Sequence, residues 1–140
     1  MANRVVLISI HPEFTERIIA YTKNIEFRRL WPNQKIDFLV IYATSPVMKI
    51  VAIVRVKNVT RASKTRLWEV GKKEGAGISR RRLFEYMSDR TEGVGILLGD
   101  RVALQPALEP NDIFGPKFVP PQSFRYVQPE EKKRLLTCLE

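Results

Sequence analysis

The sequence predicts an α+β fold in a single domain, residues 1–140. The expected core is a mixed, mostly antiparallel sheet of about six strands that curls into a small β-barrel, with helices inserted at two places. Runs rich in valine and isoleucine, such as residues 36–44 and 48–60, are typical of buried strands. Most segments between the predicted strands are too short for a parallel crossover, so most neighbouring strands should run antiparallel. The content of 44% apolar residues suits one core.

The first half of the chain combines one helix with four strands. The strands are predicted in residues 5–10, 25–29, 36–44 and 48–60. Residues 11–23 carry apolar side chains at helical spacing, and Pro12 suits the first turn of this helix. The pair Pro32-Asn33 indicates a turn before the third strand.

The second half is predicted to contain three helices and two further strands. The helices are expected in residues 64–75, 79–90 and 128–140, and the strands in residues 93–110 and 124–127. Ser79 is positioned to cap its helix, and Pro129 followed by two acidic residues is typical of a first helical turn. Gly99-Asp100 is a pair favoured in hairpin turns, so a hairpin is expected there. The proline-rich segment 111–123 is predicted to be a loop.

The charge balance favours an anionic partner. There are 24 lysines and arginines against 15 acidic residues, which gives a net charge of +9 and a pI near 10.0. An excess of this size in a small domain favours nucleic acid, which releases counterions when its phosphates are neutralised. The alternative is that the charge serves only solubility.

The composition argues against several other classes of protein. No apolar run approaches the roughly 20 residues of a membrane span, and the start of the chain lacks the cleavage pattern of a signal peptide. Cys138 is the only cysteine, which excludes an internal disulfide and fits a cytoplasmic location. His11 is the only histidine, so a zinc site of the usual kind is not expected. We therefore expect no metal, no cofactor and no membrane partner.

The stretch TKNIEFRR, residues 22–29, places both signs of charge on one predicted strand. Glu26 and Arg28 are two residues apart, so their side chains leave the same face of the strand. They could form a surface ion pair worth less than about 1 kcal/mol. Alternatively, Lys23, Glu26 and Arg28 could surround one cleft, where the cations would meet a phosphate or a base carbonyl and the carboxylate a base amino group.

Later polar residues are candidates for the same cleft. Thr44 and Ser45 follow a buried strand and offer hydroxyl groups, although such residues also bond their own backbone in turns. In PPQSFRY, residues 120–126, two prolines fix an extended backbone; the following side chains could contact a base edge, or the loop could only seal the barrel. The candidates in this stretch are Gln122, Ser123, Arg125 and Tyr126.

A basic cluster lies on and before the predicted helix 79–90. Its members are Lys72, Lys73, Arg80, Arg81 and Arg82. Three consecutive helical arginines point in different directions, so they form either a solvated face or part of a broad surface that follows a phosphate backbone. His11 is either a structural residue or a proton donor in the cleft.

The motifs SIHPEF, TKNIEFRR, IYATSPVMKIV, GISRRRLFEYM and FVPPQSFRY follow one another over roughly residues 5–127. Their order resembles the ASCH domain family, which is similar in fold to PUA domains, and in particular its small stand-alone prokaryotic members. Lys23, Glu26 and Arg28 are the most family-like part. The resemblance implies a PUA-like curled β-barrel with a cleft beside the first helix, and RNA as the partner.

The resemblance also implies possible enzymatic activities. One kind of small relative hydrolyses acylated cytidine nucleosides with a lysine at the position that Lys23 matches, a nearby threonine and a distant glutamate. In this chain Asn24, Ile25 and Glu26 follow the lysine, so the threonine is not matched. Another kind of relative has been linked to RNA cleavage.

Three functions are therefore predicted, in this order. The first is binding of RNA, single-stranded or looped, with a nucleotide or base in the cleft and phosphates on the basic surface. The second is hydrolysis of an acylated cytidine nucleoside, with Lys23 as base or nucleophile and Glu26 assisting. The third is metal-independent RNA cleavage, in which Lys23 acts with a tyrosine or with His11. The sequence leaves the oligomeric state open.

Overall fold

The computed structural model describes residues 3–139, with six strands and five helices. Met1, Ala2 and Glu140, the last residue of the predicted C-terminal helix, lie outside the described residues. The strands are β1 (Val5–Ile10), β2 (Ile25–Arg28), β3 (Phe38–Ala43), β4 (Lys49–Ala62), β5 (Gly93–Leu108) and β6 (Arg125–Tyr126). The helices are α1 (Pro12–Ile19), α2 (Lys64–Glu74), α3 (Arg80–Met87), α4 (Pro110–Phe114) and α5 (Pro129–Leu139).

The strands form one sheet in the order β2-β5-β4-β3-β1-β6. β1 and β3 run parallel because α1 and β2 supply a connection long enough for a crossover, and the other four neighbouring pairs run antiparallel. β2 and β6 stay at the two edges, so the curled sheet is a half-barrel. The predicted α+β class with a curled, mostly antiparallel sheet and inserted helices is confirmed.

Strand β5 shows that the predicted hairpin at Gly99-Asp100 is wrong. β5 continues through both residues without reversing direction, and it pairs antiparallel with β4 along its length. The register of this pair shifts at three places, where the two long strands bend together and give the sheet its curl. A Cβ at Gly99 would lie 3.4 Å from the backbone oxygen of Arg55. Gly99 therefore lies within a bent strand, where a Cβ would make about van der Waals contact, and the chain does not reverse there.

Local signals set the starts of the helices. His11 caps α1 by accepting a hydrogen bond from a backbone N–H of the first turn, and Pro12 occupies the first helical position. Ser79 caps α3, as predicted. The five-residue helix α4 begins at Pro110, the last residue of the predicted strand 93–110, and continues into the segment predicted to be a loop. The sequence did not indicate it because one helical turn is too short to display a periodic pattern. No helix within residues 3–139 is long and apolar enough to cross a bilayer.

Three buried clusters join the sheet to the helices. The largest combines β1, β3, β4 and β5 with Ile18 of α1. The second includes Ile113 of α4 and Leu135 of α5, so the C-terminal helix packs on the sheet. The third packs β2 against α2 and α3 through Phe27 and Leu83. As a result, α2 and α3 are fixed against the strand that carries Glu26 and Arg28.

Candidate functional site

The half-barrel is open between β1 and β2. β1 pairs with β3 on one side, whereas β6 covers only Val6 and Leu7 on the other. Within residues 3–139, the backbone oxygen of Ser9 is therefore left without a strand partner on that side. Arg28 of β2 satisfies it, since its Nη2 donates to this oxygen at 2.8 Å. We call this opening the seam.

A hollow of about 190 Å³ lies in the seam. Its lining residues are Ser9, Ile10, His11, Phe14, Lys23, Glu26, Phe27, Arg28, Ile78 and Tyr86. Through Arg28 and Tyr86 the hollow adjoins an outer recess of about 400 Å³, to which Gln122 and Ser123 contribute. Small-molecule sites commonly have volumes of about 300–1,000 Å³, so the two spaces together suit a nucleotide-sized ligand.

Lys23 forms the floor of the hollow. It is 2% exposed, and its Nζ donates to the backbone oxygen of Ala76 at 2.7 Å. Nζ also lies 3.8 Å from Oε1 of Glu26, and 5.3 and 5.2 Å from the ring centroids of Phe14 and Phe27. Burial lowers the pKa of Lys23 below its ordinary value of 10.5, while the charge of Glu26 acts in the opposite direction.

The connection between α2 and α3 holds the lysine in place. Gly77 adopts a φ of +63° and packs on the stem of Lys23, where an added Cβ would lie 2.4 Å from the lysine Cβ. The backbone oxygen of Gly77 accepts from Nη1 of Arg17, and that of Gly75 accepts from the backbone nitrogen of Asn24, each at 2.8 Å. This glycine-containing segment therefore fixes the residues around the floor of the hollow.

Glu26 and Arg28 form a buried ion pair. Each residue is 8% exposed, and Nε of Arg28 donates to Oε2 of Glu26 at 3.0 Å. Lys23 and Arg28 thus flank one carboxylate, which gives the hollow two positive charges and one negative charge. Oε1 of Glu26 makes no closer contact with Lys23 than 3.8 Å, so it keeps capacity to accept a hydrogen bond from a ligand.

Tyr86, Phe14 and Ile78 line the hollow although the sequence pattern did not single them out. Tyr86 is 41% exposed, but its hydroxyl end is sheltered, and this burial raises the pKa of Tyr86 above its ordinary value of 10.0. The available signal was its position three residues after Leu83, because residues at this spacing lie on one side of a helix.

His11 lines the hollow and also has a structural role. Its Nδ1 accepts the capping hydrogen bond of α1 at 3.2 Å, so the ring proton lies on Nε2, which can donate a hydrogen bond to a ligand in the hollow. Residues 3–139 contain no group of three or more histidine, cysteine, aspartate or glutamate side chains placed to hold a metal ion.

The loop before β6 brings Gln122 and Ser123 next to Arg28. Oγ of Ser9 donates to the backbone oxygen of Pro121 at 2.9 Å, which fixes this loop against the seam. Both predicted residues then line the outer recess, Gln122 exposed and Ser123 half-buried. They therefore share one continuous cleft with Lys23 and Glu26.

Thr44 and Ser45 do not line the hollow or the outer recess. Both lie in the turn that follows β3. The backbone nitrogen of Thr44 donates to the oxygen of Ile10, and its oxygen accepts from the nitrogen of Val47. The predicted placement in one cleft with Lys23 is thus wrong, because local backbone bonding holds these residues in their own turn.

Arg125 and Tyr126 also lie away from the hollow. Arg125 pairs with Glu131 of α5 at 2.7 Å and stacks over the ring of Phe114 at 4.6 Å. Tyr126 donates its hydroxyl hydrogen to Oε1 of Gln34 at 3.0 Å. Arg125 therefore anchors the C-terminal helix, and the contacts of Tyr126 lead to another part of the surface.

Most members of the basic cluster before and on α3 form ion pairs with carboxylates of the protein. The ion-paired members are Lys72, Arg81 and Arg82. Arg80 stacks over the ring of Phe84 at 4.1 Å, and Lys73 is exposed. None of the five lines the hollow or the outer recess, so this surface is separate from the cleft.

Comparison with known proteins agrees with this architecture. The family model of the ASCH domain matches residues 8–107. An ASCH domain-containing ribonuclease from Zymomonas mobilis is 28% identical over 133 residues, covering 94% of this chain and 89% of that protein. The crystal structure of ASCH from Zymomonas mobilis matches with a TM-score of 0.86 at 26% identity, over 95% of this chain and 94% of the other. A tyrosine-to-phenylalanine mutant of ZmASCH gives a TM-score of 0.82 at 26% identity, over 95% and 96%. The chain therefore belongs to the ASCH domain family.

Proposed function

We propose that this protein binds single-stranded RNA and that the hollow in the seam receives one of its nucleotides. The observation that carries the proposal is the buried group of Lys23, Glu26 and Arg28 at the floor of a cleft that is open to solvent. Burying three charges is costly, and a ligand that exchanges hydrogen bonds with them gives this arrangement a use. The RNA-directed name of the Zymomonas relative supports the same class of ligand.

The chemistry of the lining matches a nucleotide. Arg28 can donate to a base carbonyl or a phosphate, and Oε1 of Glu26 can accept from an exocyclic amino group. The ring of Tyr86 offers a stacking surface, a contact worth about 1–3 kcal/mol per base in other proteins. Lys23 already donates to a backbone oxygen, so its part is to add positive charge beneath the ligand.

The form of the RNA follows from the shape of the site. A recessed hollow admits an unpaired base, whereas the bases of a closed A-form helix stay inside the duplex. The net charge of +9 adds a general attraction for phosphates. Binding should therefore favour single-stranded RNA over duplex RNA and weaken steeply with salt, by about 0.7 logarithmic units of affinity per phosphate contact for each logarithmic unit of salt.

Fluorescence anisotropy with labelled RNA tests this proposal. Tyr86→Leu should weaken binding of a single-stranded RNA by roughly tenfold because it removes one stacking surface. Tyr86→Phe keeps the ring and should bind within about twofold of the wild type. Equal affinities of wild type and Tyr86→Leu, or no binding of RNA by the wild type, would contradict the proposal.

RNA cleavage is a second candidate function, favoured by the name of the Zymomonas relative and by the residues around the hollow. His11, Lys23 and Tyr86 all line it. Because Nδ1 of His11 accepts the cap hydrogen bond, Nε2 carries the ring proton and could donate to a phosphate oxygen of the RNA. The 2′-oxygen would attack the neighbouring phosphorus while its proton passes to a non-bridging phosphate oxygen. The departing 5′-oxygen would then receive a proton from Tyr86 or Lys23, leaving a 2′,3′-cyclic phosphate and a free 5′-hydroxyl.

His11→Asn tests the cleavage proposal without removing the helix cap, because asparagine is also a favoured capping residue. Wild type should release fragments ending in cyclic phosphate. His11→Asn, whose shorter side chain lacks the Nε2 donor, should bind RNA within about threefold of the wild type but cut it at least about 100-fold more slowly. Intact RNA after incubation with wild type would exclude cleavage while leaving the binding proposal in place.

A further inference from the structure

A separate recess lies between the segment 31–36 and the strand residues 56–61 of β4. It has a volume of about 520 Å³, and Trp31 lies in its wall. We call it the Trp31 recess. It shares no lining residue with the hollow in the seam.

The charges of the Trp31 recess are all positive. Lys35, Lys57 and Arg61 line it, and no carboxylate among residues 3–139 does. None of the three cations forms an ion pair within the described part of the chain, in contrast to most of the cluster near α3. Unpaired cations that face one space favour an anion in that space.

Two of the three amide side chains that line the recess, those of Gln34 and Asn58, have their oxygen atoms occupied. Oε1 of Gln34 is occupied by the hydroxyl of Tyr126 at 3.0 Å. Oδ1 of Asn58 is occupied by the backbone nitrogen of Val59 at 2.9 Å. Both amide nitrogens therefore remain as donors, so the recess offers hydrogen-bond donors to a ligand rich in acceptors.

Trp31 adds an unsatisfied donor. The residue is 7% exposed, and its indole Nε1 is buried without a hydrogen-bond partner within residues 3–139. A buried polar group without a partner costs about 1–3 kcal/mol, and most such groups in folded proteins are satisfied. The buried nitrogen is out of direct reach of a ligand in the recess, but it belongs to a residue that forms the wall, so its NMR signal reports on binding there.

A path of shared residues connects this recess to the hollow. Arg61 also lines a neighbouring recess of about 430 Å³, together with Arg29 and Arg90. Arg29 and Arg90 in turn line the outer recess beside Tyr86. Two carboxylates, those of Asp89 and Glu92, line the middle of this path, so its positive charge is concentrated at its two ends. A flexible strand could follow the path from the hollow to the Trp31 recess.

We propose that the Trp31 recess binds a backbone phosphate of the RNA strand whose nucleotide occupies the hollow. This inference rests on the proposed function and extends it from a site for one nucleotide to a path that the RNA strand follows. We call this path, from the hollow to the Trp31 recess, the track. Phosphate is the chemical class of ligand because Lys35, Lys57 and Arg61 supply positive charge, while the amide side chains supply hydrogen-bond donors. Free phosphate offers the same chemistry, so the test separates the two sources.

A charge-matched pair of variants tests the track. Lys35→Gln/Lys57→Gln removes two charges from the recess, and Lys117→Gln/Lys133→Gln removes two exposed charges that line none of the recesses described. With a single-stranded RNA of about 12 nucleotides, the recess variant should lose roughly tenfold in affinity. The slope of log affinity against log salt should become shallower by about 0.7, the value for one phosphate contact. The control should change affinity by less than about threefold, and both variants should bind cytidine monophosphate as the wild type does.

The indole N–H gives an independent readout. The chain has two tryptophans, so ¹⁵N NMR resolves Trp31 against Trp68 as an internal control. The RNA should shift the Trp31 indole signal, and cytidine monophosphate should not. A shift with inorganic phosphate but not with RNA would overturn the proposal in favour of a free-phosphate site.

Failure of the track and failure of the proposed function have different signatures. If wild type binds the mononucleotide as tightly as the longer RNA, or if recess and control variants bind the RNA alike, the proposal of a track is wrong. The proposal that the hollow binds a nucleotide is unaffected by that result. If wild type binds neither RNA nor mononucleotide, both proposals are wrong.

Discussion

Arg28 donates a hydrogen bond of 2.8 Å to the backbone oxygen of Ser9, and this contact ties β2 to β1 across the opening of the half-barrel. The same guanidinium pairs with Glu26 at 3.0 Å. The mixed charges of TKNIEFRR therefore have a structural reason: one arginine completes an open strand edge and leaves a polar hollow beside it. Stability and ligand binding are expected to depend on the same residues.

Arg28→Met should destabilise the protein by about 3–5 kcal/mol, because Glu26 would stay buried with only Lys23, at 3.8 Å, as a cationic neighbour. Urea denaturation measures the loss. Arg81→Met is the control, since it breaks an exposed pair with Glu85 and should cost less than about 1 kcal/mol. Similar costs for the two variants would contradict the account of a buried pair.

Gly77→Ala should destabilise the protein by about 2 kcal/mol more than Gly115→Ala. Both glycines have positive φ angles, +63° and +96°, so both substitutions strain the backbone. Only at Gly77 would the new Cβ meet Lys23, at 2.4 Å, whereas nothing lies within 4 Å at Gly115. Thermal denaturation of the two variants separates strain from collision, and equal losses would show that Gly77 does not hold the lysine.

Stability should depend on the titration of Lys23 in the alkaline range. Burial lowers its pKa in the folded protein below 10.5, so between that lowered value and about 10.5 the unfolded chain binds more protons. The contribution of Lys23 to the free energy of unfolding should therefore rise with pH across this window and stay constant below it. Denaturation of wild type and Lys23→Met over the range measures this difference. A difference that does not change with pH would contradict the buried, weakened ammonium.

Acylated cytidines test the alternative of amide hydrolysis. Lys23 donates to the oxygen of Ala76, and the neighbouring carboxylate of Glu26 is paired with Arg28, so the hollow lacks a free general base of this kind. We expect no release of the acid when wild type is incubated with such a nucleoside. Release that disappears in Lys23→Met would make hydrolysis the better account.

The alternation of side chains along a strand depends only on the local sequence, and it correctly predicted that Glu26 and Arg28 share a face. Their burial depends on α3 and on the Gly77 segment, which come from about 50 residues further along the chain, so the surface pair and the cleft could not be told apart from TKNIEFRR alone. Gln122 and Ser123 line the cleft because Ser9 fixes the loop that carries them. Thr44 and Ser45 had equally suitable hydroxyls, but the sequence does not state which turn faces the seam.

The Trp31 recess is a second case in which the sequence does not show which distant residues come together. Trp31 is 7% exposed and packs in the core, as large aromatic residues usually do. Only the fold reveals that the indole nitrogen has no hydrogen-bond partner within residues 3–139 and that Lys57 of β4 lines the same space. Charge counting predicted an anionic partner for the chain but not where the unpaired cations gather.

A crystal structure of the protein with a short single-stranded RNA tests the central claim most directly. We predict a base in the hollow, stacked on Tyr86 and within hydrogen-bonding distance of Glu26 or Arg28. RNA bound only along the cluster of Lys72, Lys73, Arg80, Arg81 and Arg82, with the hollow free of nucleotide, would contradict the account.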